Sequence, residues 1–141
     1  MDDDTVTELP PEECWELLRK QEFGRLAFHL VGEVHIVPIN YVVDARRLLF
    51  RTAEGSKLLG ITMNEDVAFE IDEINEDSAR SVVLRGRACQ LEGHERDRAE
   101  QLPLRPWAPG AKYNVVSIEP TEVTGRVVKL DRPWRHMIPE H

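Results

Sequence analysis

The stretch from Ile36 to Lys57, IVPINYVVDARRLLFRTAEGSK, decides how the rest of the chain is interpreted. It predicts two strands joined by a tight turn at Asp44-Ala45, followed by a short polar loop that leads into a helix. The end of the stretch offers two cationic side chains, two hydroxyls and the free backbone N–H groups of a helix start: Arg51, Thr52, Ser56 and Lys57. Because such groups bind phosphate, the pattern predicts a phosphate site.

The strand before the turn contains Pro38, and proline cannot donate a backbone hydrogen bond to a neighbouring strand. The pairing must therefore be interrupted at Pro38, or the strand must lie at a sheet edge. Backbone groups freed in this way can face a ligand, and a plain bulge or edge is the alternative. For Arg51 and Lys57 the alternative is an ordinary pair of surface charges, with Glu54 as a partner.

Length and charge restrict the classes of function. A chain of 141 residues has the size of one domain. Its 18 Lys and Arg against 26 Asp and Glu give a formal net charge of −8, so we expect neither nucleic acid nor membrane as a partner. An anion must be bound by a local basic cluster, and Arg51 with Lys57 is one. A second basic group, Arg80, Arg85 and Arg87, is interpreted as a solvated strand face.

The two cysteines, Cys14 and Cys89, are far apart and form no CxxC motif, so no metal site is predicted. The N-terminal segment is acidic and lacks the features of a signal peptide. No apolar run approaches the roughly 20 residues that a membrane helix needs. We therefore expect a cytoplasmic protein.

The hydrophobic pattern divides the chain into a disordered acidic lead (1–8), one domain (9–130) and a C-terminal tail without periodicity (131–141). In the domain, a first helix buries Cys14, Leu17 and Leu18, and a charged helix covers 93–102. Period-two alternation predicts six or seven strands, at 25–30, 34–43, 47–52, 67–72, 80–91, 113–118 and 123–130. Gly86 predicts a bend or bulge, and Glu119-Pro120 a turn.

Six or seven antiparallel strands with only short helices would leave long exposed edges in an open sheet. A closed or nearly closed barrel avoids such edges. The predicted fold is therefore mainly β, with an antiparallel barrel and short helices.

The order GRLAF, VPINYVVD, LLFRTAEGSKL, VAFEID, VVLRGRA, LRPWAPG and IEPTEVTGR resembles the FMN-binding split-barrel proteins related to pyridoxamine 5'-phosphate oxidase. The similarity is closest to small bacterial members that include nitroimidazole-reductase-like proteins. It covers about residues 8–128, and FRTAEGSKL is its most specific part. The resemblance implies a six-stranded antiparallel split β-barrel that forms a homodimer, with FMN bound in the grooves between subunits.

The resemblance also implies which residues contact the cofactor. The FMN phosphate would be held by Arg51, Thr52, Ser56 and Lys57. The isoalloxazine and ribityl part would be lined by Pro38, Ile39, Asn40 and Tyr41, with further contacts from Glu70 and from Trp107 of the other subunit. No catalytic residue is assigned, because a flavin supplies the redox chemistry itself.

The expected function is that of an FMN-dependent oxidoreductase that reduces a small, flat acceptor with electrons from a reduced nicotinamide or another donor. Pyridoxamine phosphate oxidation is not expected, since the chain ends RHMIPEH and lacks the Arg-Leu-x-Pro signature of those oxidases. One alternative is the deazaflavin F420, whose acidic tail would require Arg80, Arg85 and Arg87. Another is a non-catalytic module that stores or senses flavin or haem, with His29, His35 or His94 as a haem ligand. The sequence does not define the substrate or the electron donor.

Overall fold

The computed structural model describes residues 6–53, 58, 65–103 and 113–130. Within these ranges the chain forms eight strands and two helices. In chain order they are β1 (Val6–Glu8), α1 (Pro11–Lys20), β2 (Phe23–Leu30), β3 (Glu33–Asn40), β4 (Val42–Asp44), β5 (Arg47–Ala53), β6 (Asp66–Ile74), β7 (Ser78–Gln90), α2 (Gly93–Ala99) and β8 (Tyr113–Lys129).

The strands form one antiparallel sheet in the order β3-β2-β6-β7-β8-β5-β4, and β1 pairs with β8. The sheet curls so that β3, at one end of this order, also contacts β5 near the other end. Inward-facing side chains of the strands form the main core, which contains Leu26, Phe28, Ile39, Leu48, Phe50, Phe69, Ile71, Val82, Leu84, Val116 and Ile118. The predicted mainly β, antiparallel barrel architecture is confirmed.

Helix α1 begins at a proline, has acidic residues in its first turn and basic residues in its last, as its dipole favours. The face that carries Cys14, Leu17 and Leu18 is buried in the core, as predicted, and Trp15 is buried beside it. The segment before the helix differs from the expected disordered lead. Residues Val6–Glu8 form β1, which pairs with Val128, Val127 and Arg126 of β8.

Strand β8 corrects the predicted turn at Glu119-Pro120. The chain continues as one strand from Tyr113 to Lys129, so the two predicted strands are one. Its pairing with β7 shifts register between Arg85 and Gly86, which lie opposite Glu122 and Pro120. Thr121 is therefore an extra residue at a β-bulge, where the missing proline N–H is tolerated. The bulge predicted at Gly86 is confirmed.

Strand β3 lies at the edge of the sheet and pairs with β2 alone, which confirms one of the two outcomes predicted from Pro38. The predicted strand at 34–43 is broken at Tyr41, whose N–H donates to the carbonyl of Glu22. The chain after the break forms β4, which pairs with β5, while β5 also pairs with β8. Strands β3 and β5 therefore lie next to each other where the sheet closes into a barrel.

Candidate functional site

Arg51 and Thr52 lie near the end of β5, and successive residues of a strand point to opposite faces of the sheet. Leu49, on the same face as Arg51, packs against Ala99 of α2 outside the barrel. Phe50, on the same face as Thr52, belongs to the core inside the barrel. The structure thus brings the two residues to the same strand end but directs their side chains to different sides.

Arg51 is a nearly buried cation on the outer face. Its side chain is 12% exposed, and its Nη2 lies 3.3 Å from Oε2 of Glu100, which follows α2. The other oxygen of that carboxylate lies 4.0 Å from Nε of Arg96. We call Arg51, Arg96 and Glu100 the Arg51 triad. An anionic ligand of Arg51 must share the guanidinium with Glu100 or displace that carboxylate.

Thr52 is 3% exposed, and its Oγ1 has no hydrogen-bond partner among the residues that the structure describes. The residue opposite it on β8 is Asn114, whose Oδ1 accepts from Nε2 of Gln90 at 2.9 Å. A buried hydroxyl without a partner costs roughly 1–3 kcal/mol. Such a group at a strand end is an available donor and acceptor for a ligand.

Three predicted site residues, Ser56, Lys57 and Trp107, lie outside the described residues, and their roles stay predictions. The residue after Lys57 is described. Leu58 is partly buried and packs against the core.

The structure divides the four residues predicted to line the ring system. Ile39 and Tyr41 are buried in the core, and the Tyr41 hydroxyl donates to the carbonyl of Leu18 at 2.6 Å. Burial raises the pKa of Tyr41 well above its usual value, so the phenol stays protonated. Pro38 is exposed and Asn40 half-buried. Of the four residues, only Pro38 and Asn40 lie on the outward-facing side of β3.

Glu70 lies on the same outer face as Pro38, because Arg25 of β2 pairs with both. The Arg25 Nε donates to Glu70 Oε1 at 3.2 Å, and its Nη2 contacts both Glu70 and Asp72. The hydrogen bond to Glu70 raises the pKa of Arg25. The sequence did not predict Arg25 as a site residue. Its position between Pro38 and Glu70 depends on the pairing of β2 with β3 and with β6.

A cleft of about 390 Å³ lies on the outer face, between β2, β3, β6 and β7 and close to Arg25 and Glu70. Ala27, Val34, Ala68 and Arg85 are among its lining residues. The exposed side chains of Phe23 and the β3 residues Val34 and Ile36 extend the apolar part of this face. We call the outward side of β2 and β3, with these apolar residues, the β2–β3 face.

Two residues of the second basic group form ion pairs on the sheet. In the second basic group, Arg80 Nη2 lies 2.6 Å from Glu73 Oε1, and Arg87 Nε lies 3.9 Å from Asp66 Oδ1. The two histidines of the first hairpin point to opposite faces: His35 lies opposite Phe28 and stacks on its ring, whereas His29 lies opposite Val34.

The described part of the chain contains no group of three His, Cys, Asp or Glu side chains that could hold a metal ion. Among the same residues, no helix is long and apolar enough to cross a membrane.

The curled antiparallel sheet is the split-barrel fold of flavin-binding proteins. It superimposes with a TM-score of 0.82 on the structure of the FAD binding protein from Mycobacterium smegmatis, at 38% identity, covering 89% of this chain and 100% of that one. An FAD-binding protein from Mesorhizobium loti gives a TM-score of 0.71 at 26% identity, covering 87% of this chain and 98% of that one.

The family follows from the sequence as well. The family model described as pyridoxamine 5'-phosphate oxidase matches residues 10–127, and the chain belongs to this family. An uncharacterized protein from Mycobacterium tuberculosis is 32% identical over 133 residues, which cover 89% of this chain and 88% of that protein. The family and the split-barrel fold that the resemblance implied are confirmed.

Proposed function

We propose that this protein binds a flavin nucleotide and acts as a flavin-dependent oxidoreductase on a small, flat acceptor. The observation that carries the proposal is its similarity, over nearly the whole of both chains, to the Mycobacterium smegmatis protein named for FAD binding. The resemblance in sequence favoured FMN, while the names of two similar structures favour FAD. Both nucleotides share the flavin ring and a phosphate on the ribityl chain.

Two residues at the end of β5 support a phosphate site, although their side chains point to opposite faces of the strand. Arg51 supplies a cation shielded from water, and Thr52 supplies a buried hydroxyl that has no partner among the described residues. Ser56 and Lys57 would complete the phosphate site from the loop that follows. On β3, Pro38 and Asn40 would contact the ring and ribityl part, while Ile39 and Tyr41 hold that strand against the core.

A bound flavin would supply the redox chemistry, and the protein would bind and orient it. Glu70 is held by Arg25 on the outer face, so its carboxylate is fixed near the ring side of the proposed groove. Tyr41 keeps its proton in the core and takes no part in proton transfer. The acceptor and the electron donor would enter from the outer face, where the cleft lies.

The flavin site would be completed by a second copy of this chain. The β2–β3 face exposes Phe23, Val34 and Ile36 together, and such a patch marks an interaction surface. In such a homodimer the resemblance assigns a flavin contact to Trp107 of the partner subunit. Light scattering on a sizing column should give twice the chain mass for the native protein, and Ile36→Asp should give the monomer.

Flavin is favoured over F420 by the basic residues of β7. A polyglutamate tail would need free cations there, but Arg80 is engaged with Glu73 in a short ion pair. Titration with F420 and with FMN or FAD under identical conditions separates the two cofactors. Saturable binding of F420 alone would favour the deazaflavin.

The test of flavin binding begins with the freshly purified chain. We expect yellow protein that releases FMN or FAD on denaturation, identified by absorbance and mass. Arg51→Ala should weaken binding of the released nucleotide at least about tenfold, because a charged hydrogen bond is lost. Arg19→Ala, an exposed basic residue of α1, is the matched control and should bind as the native chain does. Colourless protein without saturable binding of either nucleotide contradicts the proposal.

Turnover is tested on the flavin-loaded protein. Mixing with NADH, NADPH or a reduced F420 system should bleach the visible flavin absorbance, which a small aromatic acceptor should restore. Tight flavin retention without reduction by any donor would instead favour the non-catalytic binding module.

A further inference from the structure

We propose that the cleft on the outer face binds a small, flat aromatic carboxylate, and that the guanidinium of Arg85 binds its carboxylate group. Such a ligand belongs to the class of small, flat acceptors, and in that role the inference rests on the proposed function. The binding itself requires no flavin and can be measured separately.

The floor of the cleft is low and apolar because its central side chains are small. Ala27 of β2 and Ala68 of β6 are direct partners in the sheet, and both line the cleft. The next pair on the same outer face, Arg25 and Glu70, carries long side chains. Two methyl groups side by side therefore leave a trough on the sheet. Its volume of about 390 Å³ lies near the lower end of the range for small-molecule sites, so it suits one small ring system.

Arg85 forms the cationic side of the cleft. It is exposed, and within the part of the chain that the structure describes its guanidinium has neither an ion pair nor a hydrogen bond. The other arginines near the cleft differ, because Arg25 contacts Glu70 and Arg87 lies 3.9 Å from Asp66. A guanidinium that is not occupied by a carboxylate of the chain can bind one from a ligand through two parallel hydrogen bonds.

A β-bulge fixes the backbone that carries Arg85. The pairing of β7 with β8 shifts register between Arg85 and Gly86, and the Thr121 hydroxyl donates to the carbonyl of Arg85 at 3.2 Å. Gly86 and Thr121 also line the cleft. Bulges redirect side chains and are frequent next to active sites. This side of the cleft is therefore shaped before a ligand binds.

The carboxylates around the cleft determine how a ligand would lie in it. Asp66 lines the cleft opposite Arg87, two residues beyond Arg85 on β7, and repels an anion there. Glu122 lies opposite Arg85 on β8, but among the described residues the two form no ion pair. The charges thus favour one anionic group, bound at Arg85, with the ring on the two alanines.

Two probes of the same shape, benzoate and the neutral benzamide, test the inference on the full chain as purified. Dissociation constants come from titrations followed by the shifts of backbone amide NMR signals, which should move at Ala27 and Ala68. We expect the native chain to bind benzoate about fivefold more tightly than benzamide. Arg85→Gln should abolish that difference and leave benzamide binding unchanged.

Filling the floor tests the location of the ring. Ala68→Leu should weaken binding of both probes at least about tenfold, because the added side chain occupies the trough. Ala27→Leu fills the same floor from β2 and provides the same test should Ala68→Leu not fold. Normal binding of both probes by a folded variant of either kind would overturn the inference.

Arg126→Gln is the matched control. Arg126 is also an exposed arginine of the sheet, and it lines a second groove that shares Arg85 with the cleft. The variant should bind both probes as the native chain does. Loss of benzoate binding in Arg126→Gln, with normal binding in Ala68→Leu, would place the ligand in the second groove and overturn the inference.

The outcomes separate this inference from the proposed function, because FMN and FAD are titrated on the same preparations. If the native chain binds a flavin but does not distinguish benzoate from benzamide, or if Arg85→Gln weakens both probes equally, only the inference fails. If the chain binds neither flavin but binds benzoate through Arg85, the carboxylate site stands and the proposed function is refuted.

Discussion

Two clusters of the same composition, each with two cations and one carboxylate, differ in which charge is buried. In the Glu73 triad, the two oxygens of Glu73 accept from Lys20 Nζ at 2.7 Å and from Arg80 Nη2 at 2.6 Å. The carboxylate there is 16% exposed and Lys20 is 65% exposed. In the Arg51 triad the cation is the buried member, and its contacts, at 3.3 and 4.0 Å, are longer.

The difference separates a structural cluster from a candidate binding cluster. A nearly buried carboxylate whose two oxygens are hydrogen-bonded to cations of other elements has a structural role, because it fastens α1 to β6 and β7. A nearly buried guanidinium beside a carboxylate that is 41% exposed is a candidate for attracting an external anion. In a chain with a net charge of −8, that is a rare place for a phosphate to bind.

The largest effect tests whether α1 is fixed by its apolar face rather than by the Glu73 triad. Leu18 is fully buried in the core, so Leu18→Ala should lower the free energy of unfolding by about 3 kcal/mol through lost burial and a cavity. Chemical denaturation measures this change. Glu16→Ala, on the exposed side of the same helix, should change it by less than about 0.5 kcal/mol. Equal effects would mean that α1 does not depend on core packing.

The next largest expected effect is a pH-dependent change in the free energy of unfolding, which distinguishes the Glu73 triad from the Arg51 triad. Hydrogen bonds from Lys20 and then Arg80 lower the pKa of Glu73 to about 2. The folded pKa is below the unfolded one, so its stabilisation is complete above about pH 4.5 and is lost as the pH falls towards 2. Because Lys20 is largely exposed and screened, we expect Glu73→Gln to cost only about 1.5 kcal/mol at pH 7.

Unfolding curves at pH 7, 4.5 and 2.5 measure this contribution, and the gap between the native chain and Glu73→Gln should narrow markedly at the lowest pH. Glu100→Gln is the counterpart from the Arg51 triad and should cost less than about 0.5 kcal/mol at every pH, since its carboxylate is exposed and loosely paired. A larger cost for Glu100→Gln than for Glu73→Gln would reverse the assignment of structural and binding roles.

The sequence predicts those features that depend on local pattern. The buried stripe of α1, the edge position of Pro38 and the bulge at Gly86 all follow from spacing or from backbone chemistry. The continuity of β8 through Pro120 does not, because it depends on a register shift supplied by the partner strand. The pairing of β1 with β8 is equally non-local, since the two strands are about 120 residues apart in the chain.

The candidate site was predictable in composition but not in arrangement. Strand periodicity alone would have separated Arg51 from Thr52, because adjacent residues face opposite sides. The partnership of Arg51 with Glu100 required the docking of α2 on β5, and that of Arg25 with Glu70 required the pairing of β2 with β6. Contacts of this kind join segments that are distant in the chain, so residue spacing within one segment cannot predict them.

The smallest expected effect concerns the buried hydroxyl of Thr52, near the end of β5. Thr52→Val removes the hydroxyl and keeps the shape of the side chain, so the ligand-free protein should gain about 1 kcal/mol of stability. The same change should weaken flavin binding about fivefold if the hydroxyl contacts the ligand. Stability that is gained while affinity is lost is characteristic of a binding residue.

Ser117→Ala provides the matched comparison for that hydroxyl. Ser117 is also fully buried, but its Oγ donates to Glu119 Oε1 at 3.3 Å. Removing it should lower the free energy of unfolding by about 1 kcal/mol and leave flavin affinity unchanged. Thermal unfolding with and without flavin measures both quantities for each variant. If Thr52→Val also destabilises the ligand-free protein, its hydroxyl is satisfied within the chain and Thr52 is not a binding residue.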